Sequence, residues 1–234
     1  MKLAIMFPYF LPYIGYWQLM KYVDKFVIYD NAEFEKAGWI RRNYILINGQ
    51  KKMFTVPIKK ASDYLNIDQR ELTENSDSEM RKILRQIEQN YRRAPFFKET
   101  FPLIESIFLY DNRNLFYFVY HSIRQIAEYL SIETPIIVSS AIEMDHCLRK
   151  RDKVIEICRK LEADSYINTV GGMTLYDKAD FKRNGITLDF FQSELPVYRQ
   201  YQYEFIPYLS IIDVMMFNSR DKIITEMLSA YTLL

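Results

Sequence analysis

Histidine and cysteine are nearly absent: two of each occur in 234 residues. His121, His146, Cys147 and Cys158 are too few soft ligands, with no paired spacing, for a structural zinc site. Two isolated thiols suit a reducing cytoplasm rather than a disulfide scaffold. No apolar run approaches the roughly 18 to 20 residues that a membrane span requires. The N-terminal apolar stretch is broken by Pro8 and Pro12 and lacks a small-residue cleavage signal, so it reads as mature structure. Charge of one sign is lacking too: the net formal charge is +1. No global field therefore draws the chain to nucleic acid or an anionic membrane, and nucleic acid is disfavoured as a partner. Glycine numbers only 6, so those present mark turns.

What the chain has in quantity is aromatic: 19 Tyr and 16 Phe. The first thirty residues hold a complete unit. Lys2 to Met6 is a short apolar strand, and Pro8, Pro12 and Gly15 punctuate the turn after it. Trp17, Leu19, Met20 and Val23 mark a helix, and Phe26 to Tyr29 form a second strand ending in Asp30 and Asn31. That is the start of a βαβ arrangement. Residues 31 to 42 are polar and aperiodic, a loop beyond a strand end, where open α/β sheets bind ligands. Asn43 to Ile47 and Lys51 to Ile58 flank Asn48-Gly49-Gln50, a β-hairpin signal.

A linker follows, with one short strand expected at Tyr64 to Ile67. Helices are expected at Glu79 to Tyr91, Phe101 to Leu109 with Pro102 in its opening turn, and Leu115 to Leu130. A second half alternates: strand at Pro135 to Ser139, helix at Arg151 to Glu162, strand at Tyr166 to Asn168, helix at Asp177 to Arg183 and strand at Ile186 to Phe191. Tyr208 to Phe217 and Asp221 to Tyr231 are expected to end the chain as helices. The fold class is α/β: an open, mainly parallel sheet with flanking helices, an inserted hairpin, and a largely helical segment at about 76–131 packed on one domain spanning residues 1–234.

Three constellations carry chemistry, each with a plainer reading beside it. Phe7-Pro8-Tyr9 and Pro12 to Tyr16 lie between a strand end and a helix start, where free N–H groups attract anions; the same residues make a rigid packed turn. Trp39 with Arg41, Arg42 and Asn43 offers a stacking plane and a forked cation, or a solvated basic loop. Tyr166 to Tyr176 is a strand followed by Gly171-Gly172, weak as a phosphate turn because it matches neither a dinucleotide fingerprint nor a P-loop. The carboxylates Asp30, Asp164, Asp177 and Asp213 could act as bases or metal ligands, and Asp30 is favoured because it ends a strand. His121 reads as packed in a helix, and neither Cys has a base beside it.

The run from FPYFLPYIGYW through YDN to GWIRRNYILING resembles the N-terminal signature of the WbqC-like family, in which a Pro-Tyr-x-x-Pro-x-x-Gly-Tyr turn precedes an acidic strand end and a Trp-x-x-Arg-Asn-x-Ile segment. YINTVGGMTLYDKADFKRNGI and PYLSIIDVMMFN are similar to the rest of its pattern. Phe7 and Glu33 depart from it, since the family usually has Gln there. The likeness implies a cytoplasmic bacterial protein of surface polysaccharide and O-antigen (lipopolysaccharide) biosynthesis. More faintly, Phe7-x-x-x-x-Pro12-x-x-Gly15 and Asp24-x-x-x-x-x-Asp30 are similar in layout to the nucleotidylyltransferase and pantothenate-synthetase type of fold. Those enzymes bind ATP over that turn and carry His-x-Gly-His where Tyr13-Ile14-Gly15-Tyr16 stands here; tyrosine cannot be the cationic donor that histidine can.

Together these imply a transferase or ligase that binds ATP or a nucleotide-sugar and modifies the sugar by acyl or aminoacyl transfer. The candidate catalytic residues are Asp30, as base, and Tyr16. The candidate substrate-binding residues are Tyr9, Trp39, Arg42, Asn43, Gly172 and Tyr176, and no metal ligand is proposed. The competing expectation is a non-catalytic scaffold of a polysaccharide assembly complex. Substrate and oligomeric state are not legible.

Overall fold

In the computed structural model, which describes residues 1–234, strand β1 (Lys2–Met6) occupies an inner position of a six-stranded sheet. The other strands are β2 (Lys25–Ile28), β5 (Ile136–Val138), β6 (Ser165–Thr169), β7 (Thr187–Ser193) and β8 (Tyr231–Leu233), in the order β5-β2-β1-β6-β7-β8. All neighbouring pairs are parallel except β7 with β8. The strands of a parallel sheet are covered on both faces, and successive side chains alternate between them. Leu3, Ile5 and Val27 accordingly enter a 14-residue cluster on one face, whereas Ala4, Phe26 and Ile28 enter a 47-residue cluster on the other.

The smaller cluster is closed by α5 (Lys150–Lys160), through Val154, Ile157 and Cys158, and by Phe181 of the short α6 (Lys178–Lys182). The larger contains α1 (Ile14–Tyr22), which is buried nearly all round and so shows no polar stripe. The helical middle segment joins the same cluster: α2 (Ser76–Tyr91), α3 (Phe97–Phe108) and α4 (Leu115–Tyr129). On α2, Met80, Leu84, Ile87 and Tyr91 recur at helical spacing and are buried. Asn114 caps α4 by accepting from the Tyr117 N–H at 3.2 Å.

The hairpin pairs β3 (Arg42–Ile47) with β4 (Gln50–Thr55) as a separate two-stranded sheet. Asn48 and Gly49 both adopt positive φ, 49° and 74°, as the tight twisted turn requires. The α/β class and the hairpin are thus as the sequence indicates.

Three local expectations are corrected. Residues 64–67 form no strand; Asn66 makes an isolated bridge with Glu33, and a 3-10 turn follows at Ile67–Gln69. Pro102 lies inside α3, because that helix starts at Phe97. The C-terminus does not end in helix: α7 (Ile211–Phe217) and α8 (Arg220–Thr225) are followed by β8, antiparallel to β7. The Tyr231 ring stacks 4.7 Å from Phe191 and lies 4.9 Å from Tyr22, covering apolar surface that the edge of β7 would otherwise expose.

Candidate functional site

From β1 the chain builds outward to β2 and β5, then returns to place β6 and β7 on the other side of β1. Connections leaving β1 and β6 therefore diverge, and a crevice opens beyond their carboxyl ends. A cleft of about 420 Å³ occupies that point. Met6, Phe7 and Tyr9 line it from the end of β1, and Tyr29 from the end of β2. Asn168, Gly171, Gly172 and Tyr176 line it from β6 onward, and Glu35 and Trp39 from the loop before β3.

Its first wall, residues 7–13, is a turn in which the carbonyls of Phe7, Phe10, Leu11, Pro12 and Tyr13 all accept hydrogen bonds. Asn43, fully buried, donates through Nδ2 to the Leu11 carbonyl at 2.5 Å and the Phe10 carbonyl at 3.3 Å. Ser210 Oγ donates to the same Leu11 oxygen at 2.7 Å, and Trp17 Nε1 to the Pro12 oxygen at 3.2 Å. Tyr16 OH donates to the Phe7 carbonyl at 3.2 Å. Leu11 has φ of 47°, a left-handed conformation that a leucine keeps only when its surroundings hold it there.

Helix α1 begins directly after this turn, and Tyr13 supplies no side-chain cap, so the N–H groups of Ile14 and Gly15 lack a side-chain partner, and Gly15 lines the cleft. Gly15 is forced by close packing: a Cβ there would meet Ser193 Oγ at 2.6 Å and the Tyr13 ring at 2.4 Å. On the opposite wall a Cβ on Gly172 would lie 2.1 Å from Asn168 Nδ2. Glycine lets the chain turn close against the Asn168 carboxamide at the end of β6, which a larger residue would have to displace.

The lining is aromatic. Tyr9 lies 6.2 Å from Trp39 and edge-on to Tyr16 at 6.5 Å; Phe7 lies 5.4 Å from Tyr29, and Tyr166 edge-on to Tyr176 at 6.0 Å. Burial raises the phenol pKa of Tyr9, Tyr16, Tyr29, Tyr166 and Tyr176 above its ordinary value. At Tyr9 the neighbouring Tyr13 and Tyr44 add to that effect while Arg42 opposes it. These phenols are neutral at physiological pH and act as hydrogen-bonding groups and stacking planes. Glu35 is the one carboxylate of the lining, and no three His, Cys, Asp or Glu side chains anywhere converge as a metal site would need.

Five of the residues singled out in the sequence, Tyr9, Tyr16, Trp39, Gly172 and Tyr176, come together in this cleft. Arg42 flanks it: its guanidinium lies 5.1 Å from the Trp39 ring and donates to the Ala37 carbonyl. Asn43 lies beneath it, on the Leu11 carbonyl. Asp30 is buried beyond the lining, where its Oδ1 accepts from Ser139 Oγ at 2.8 Å and the Ser140 N–H at 2.9 Å, tying the end of β2 to the end of β5. Next to it Asn31 Oδ1 accepts from Lys153 Nζ at 2.9 Å. Burial, with Arg149 nearby, lowers the Lys153 pKa, and Asp30 opposes this.

Tyr29 and Glu35 carry no role in the sequence reading, and Tyr166 and Asn168 enter it only within the Tyr166–Tyr176 stretch, yet all four line the cleft. For Tyr29 and Asn168 the signal was present: each stands at or just past the carboxyl end of a parallel strand.

Among known proteins, the chain is similar to the uncharacterized protein Rv1507c of Mycobacterium tuberculosis (strain ATCC 25618 / H37Rv). The two are 26% identical over 216 residues, which cover 92% of each chain. No solved structure matches it. Its residues 7–225 match the WbqC-like protein family, a span that takes in the switch-point cleft and nearly the whole fold; the chain belongs to that family.

Proposed function

We propose that the chain binds a nucleotide or nucleotide-linked sugar in the switch-point cleft and modifies the sugar by acyl or aminoacyl transfer, in the cytoplasmic stage of bacterial surface-polysaccharide (O-antigen) assembly. The observation that carries this reading is the meeting of Tyr9, Trp39, Tyr176 and Gly172 beyond the carboxyl ends of β1 and β6. Trp39 and Tyr9 stack on a base or sugar ring. The open N-terminus of α1 and the Gly171-Gly172 turn receive phosphate, with Arg42 supplying charge from the rim. Tyr16 and Asn43 hold the turn that shapes this wall, and Asp30 holds the strand ends behind it.

The pathway and the cytoplasmic location rest on the family likeness and, for location, on the two unpaired thiols Cys147 and Cys158. A second reading, binding without turnover, is favoured by the scarcity of acid–base groups in the lining, where Glu35 is the only carboxylate.

The test is thermal unfolding against ATP and a panel of UDP- and dTDP-linked sugars, in wild type, Trp39→Ala and Arg42→Ala. A ligand at a hundredfold excess over its Kd adds about 2.7 kcal/mol to wild type. Both variants are expected to respond less. No response from wild type, or equal responses from all three, defeats the proposal. Mass-spectrometric detection of a changed sugar separates enzyme from binding module.

A further inference from the structure

A second cavity is larger than the switch-point cleft. A cleft of about 930 Å³ opens where the carboxyl end of α2, the hairpin turn, the segment 198–203 and the start of α8 meet, and it shares no lining residue with the switch-point cleft. Arg92, Arg93, Arg199 and Lys222 line it, and no carboxylate does. In a chain with 31 basic and 30 acidic residues, four cations around one cavity without an answering acid are an uneven placement. None of the four takes part in an ion pair. Arg92 and Arg93 alone would be explained by the partial negative charge at a helix carboxyl end. Arg199 and Lys222 arrive from other elements, so that explanation does not cover them.

Leu46, Pro95 and Phe217 are apolar, and most of the remaining lining is polar and neutral. Asn48, Gln89, Asn90, Gln202 and Asn218 line the cavity, as do Tyr198, Tyr201 and Tyr203; the Asn90 and Asn218 amides are held by the Gln86 and Val214 carbonyls, which leaves those of Asn48, Gln89 and Gln202 without a partner in the fold. Amides both donate and accept, which suits a body rich in hydroxyl groups, and tyrosine rings suit the apolar faces of sugar rings.

The walls are built rather than loose. Tyr198 OH and Gln200 Nε2 both donate to Asp213 Oδ2, at 2.7 and 2.6 Å, and Gln200 Oε1 accepts from the Ile206 N–H at 2.7 Å. Tyr91 OH donates to Asp213 Oδ1 at 2.8 Å while accepting from the Leu46 N–H at 2.8 Å, so α2, the hairpin and α7 are joined at one buried carboxylate. Tyr201 OH donates to the Asn90 carbonyl at 2.8 Å. A Cβ on Gly49, whose φ is 74°, would lie 2.6 Å from the Tyr203 ring, so the hairpin turn seats directly on this segment.

We propose that this cleft is a second binding site, for an anionic carbohydrate: a saccharide carrying phosphate or carboxylate groups. Its anionic groups sit on the four cations and its hydroxyls on the amides of Asn48, Gln89 and Gln202. This does not depend on what the switch-point cleft binds.

The test is calorimetric titration at about 150 mM salt, where surface attraction is screened within about 8 Å. Four probes are compared: tetragalacturonate, glucose 1,6-bisphosphate, neutral maltotetraose and an oligouridylate. Wild type is expected to bind one of the two anionic sugars at a single site and to ignore maltotetraose; which one binds identifies the anion. Arg92→Ala with Arg199→Ala, both exposed and their fold checked by unfolding, is expected to weaken binding at least about tenfold. Trp39→Ala is expected to bind as wild type does. The proposal is overturned if neither anionic sugar binds at millimolar concentration, if the double variant binds equally well, if Trp39→Ala abolishes binding, or if oligouridylate binds more tightly than both sugars.

Discussion

The carboxamide of Asn43 donates a 2.5 Å hydrogen bond to the carbonyl of Leu11, the one residue of the 7–13 turn held at positive φ. A residue in the first strand of the hairpin thereby fixes the turn that forms the first wall of the cleft. Asn43→Ala leaves the Phe10 carbonyl without its donor and the Leu11 carbonyl with Ser210 Oγ alone, a change that costs about 1 to 3 kcal/mol. The expected outcome is a lower urea midpoint together with a weakened ligand response. An unchanged midpoint would mean that the turn holds itself.

The two adjacent glycines of the opposite wall make an internal control. Gly172→Ala must displace Asn168, whose Nδ2 would stand 2.1 Å from the new methyl, whereas at Gly171 the nearest atom is Thr169 Oγ1 at 3.8 Å. Gly172→Ala is expected to destabilise by about 1 to 3 kcal/mol and Gly171→Ala by within about 0.5 kcal/mol. Equal effects in chemical denaturation would remove the close-approach explanation.

Asp213 carries a pH signature. Burial pushes its carboxyl from the ordinary 3.8 up to about 6, against the pull of hydrogen bonds from Tyr198, Tyr91 and Gln200. The folded chain holds this proton more tightly than the unfolded chain. Its contribution to stability is therefore full below about 3.8 and is lost as pH rises through about 6. The size of the loss is on the order of 3 kcal/mol. Denaturation of wild type and Asp213→Asn across that window is expected to show the difference in stability between them shrinking with rising pH. A difference independent of pH would place the Asp213 titration elsewhere.

Local signals carried much of the fold. Pro8, Pro12 and Gly15 marked the first turn, Asn48-Gly49 marked the hairpin, and the Met80, Leu84, Ile87, Tyr91 spacing marked α2. What escaped depended on distant partners. Tyr231 to Leu233 is too short to show a period, and becomes a strand only because Phe191 and the edge of β7 lie beside it. The cleft followed the same division. Tyr9, Tyr16, Trp39 and Gly172 stood next to readable turns, but Asp30 finds its partner 109 positions away in Ser139, and Asp213 meets Tyr91 at a separation of 122. The basic cavity was not readable at all, since its four cations come from three separate stretches of chain.

Fluorescence quenching tests most directly whether the cleft beside Trp39 receives a nucleotide or nucleotide-linked sugar. Of the two tryptophans, Trp17 is fully buried and Trp39 is 45% exposed, so iodide reports on Trp39. The expected result is that one member of a nucleotide and UDP- or dTDP-sugar panel protects Trp39 from iodide in a saturable manner. Quenching left unchanged by every member of the panel at millimolar concentration would contradict the assignment.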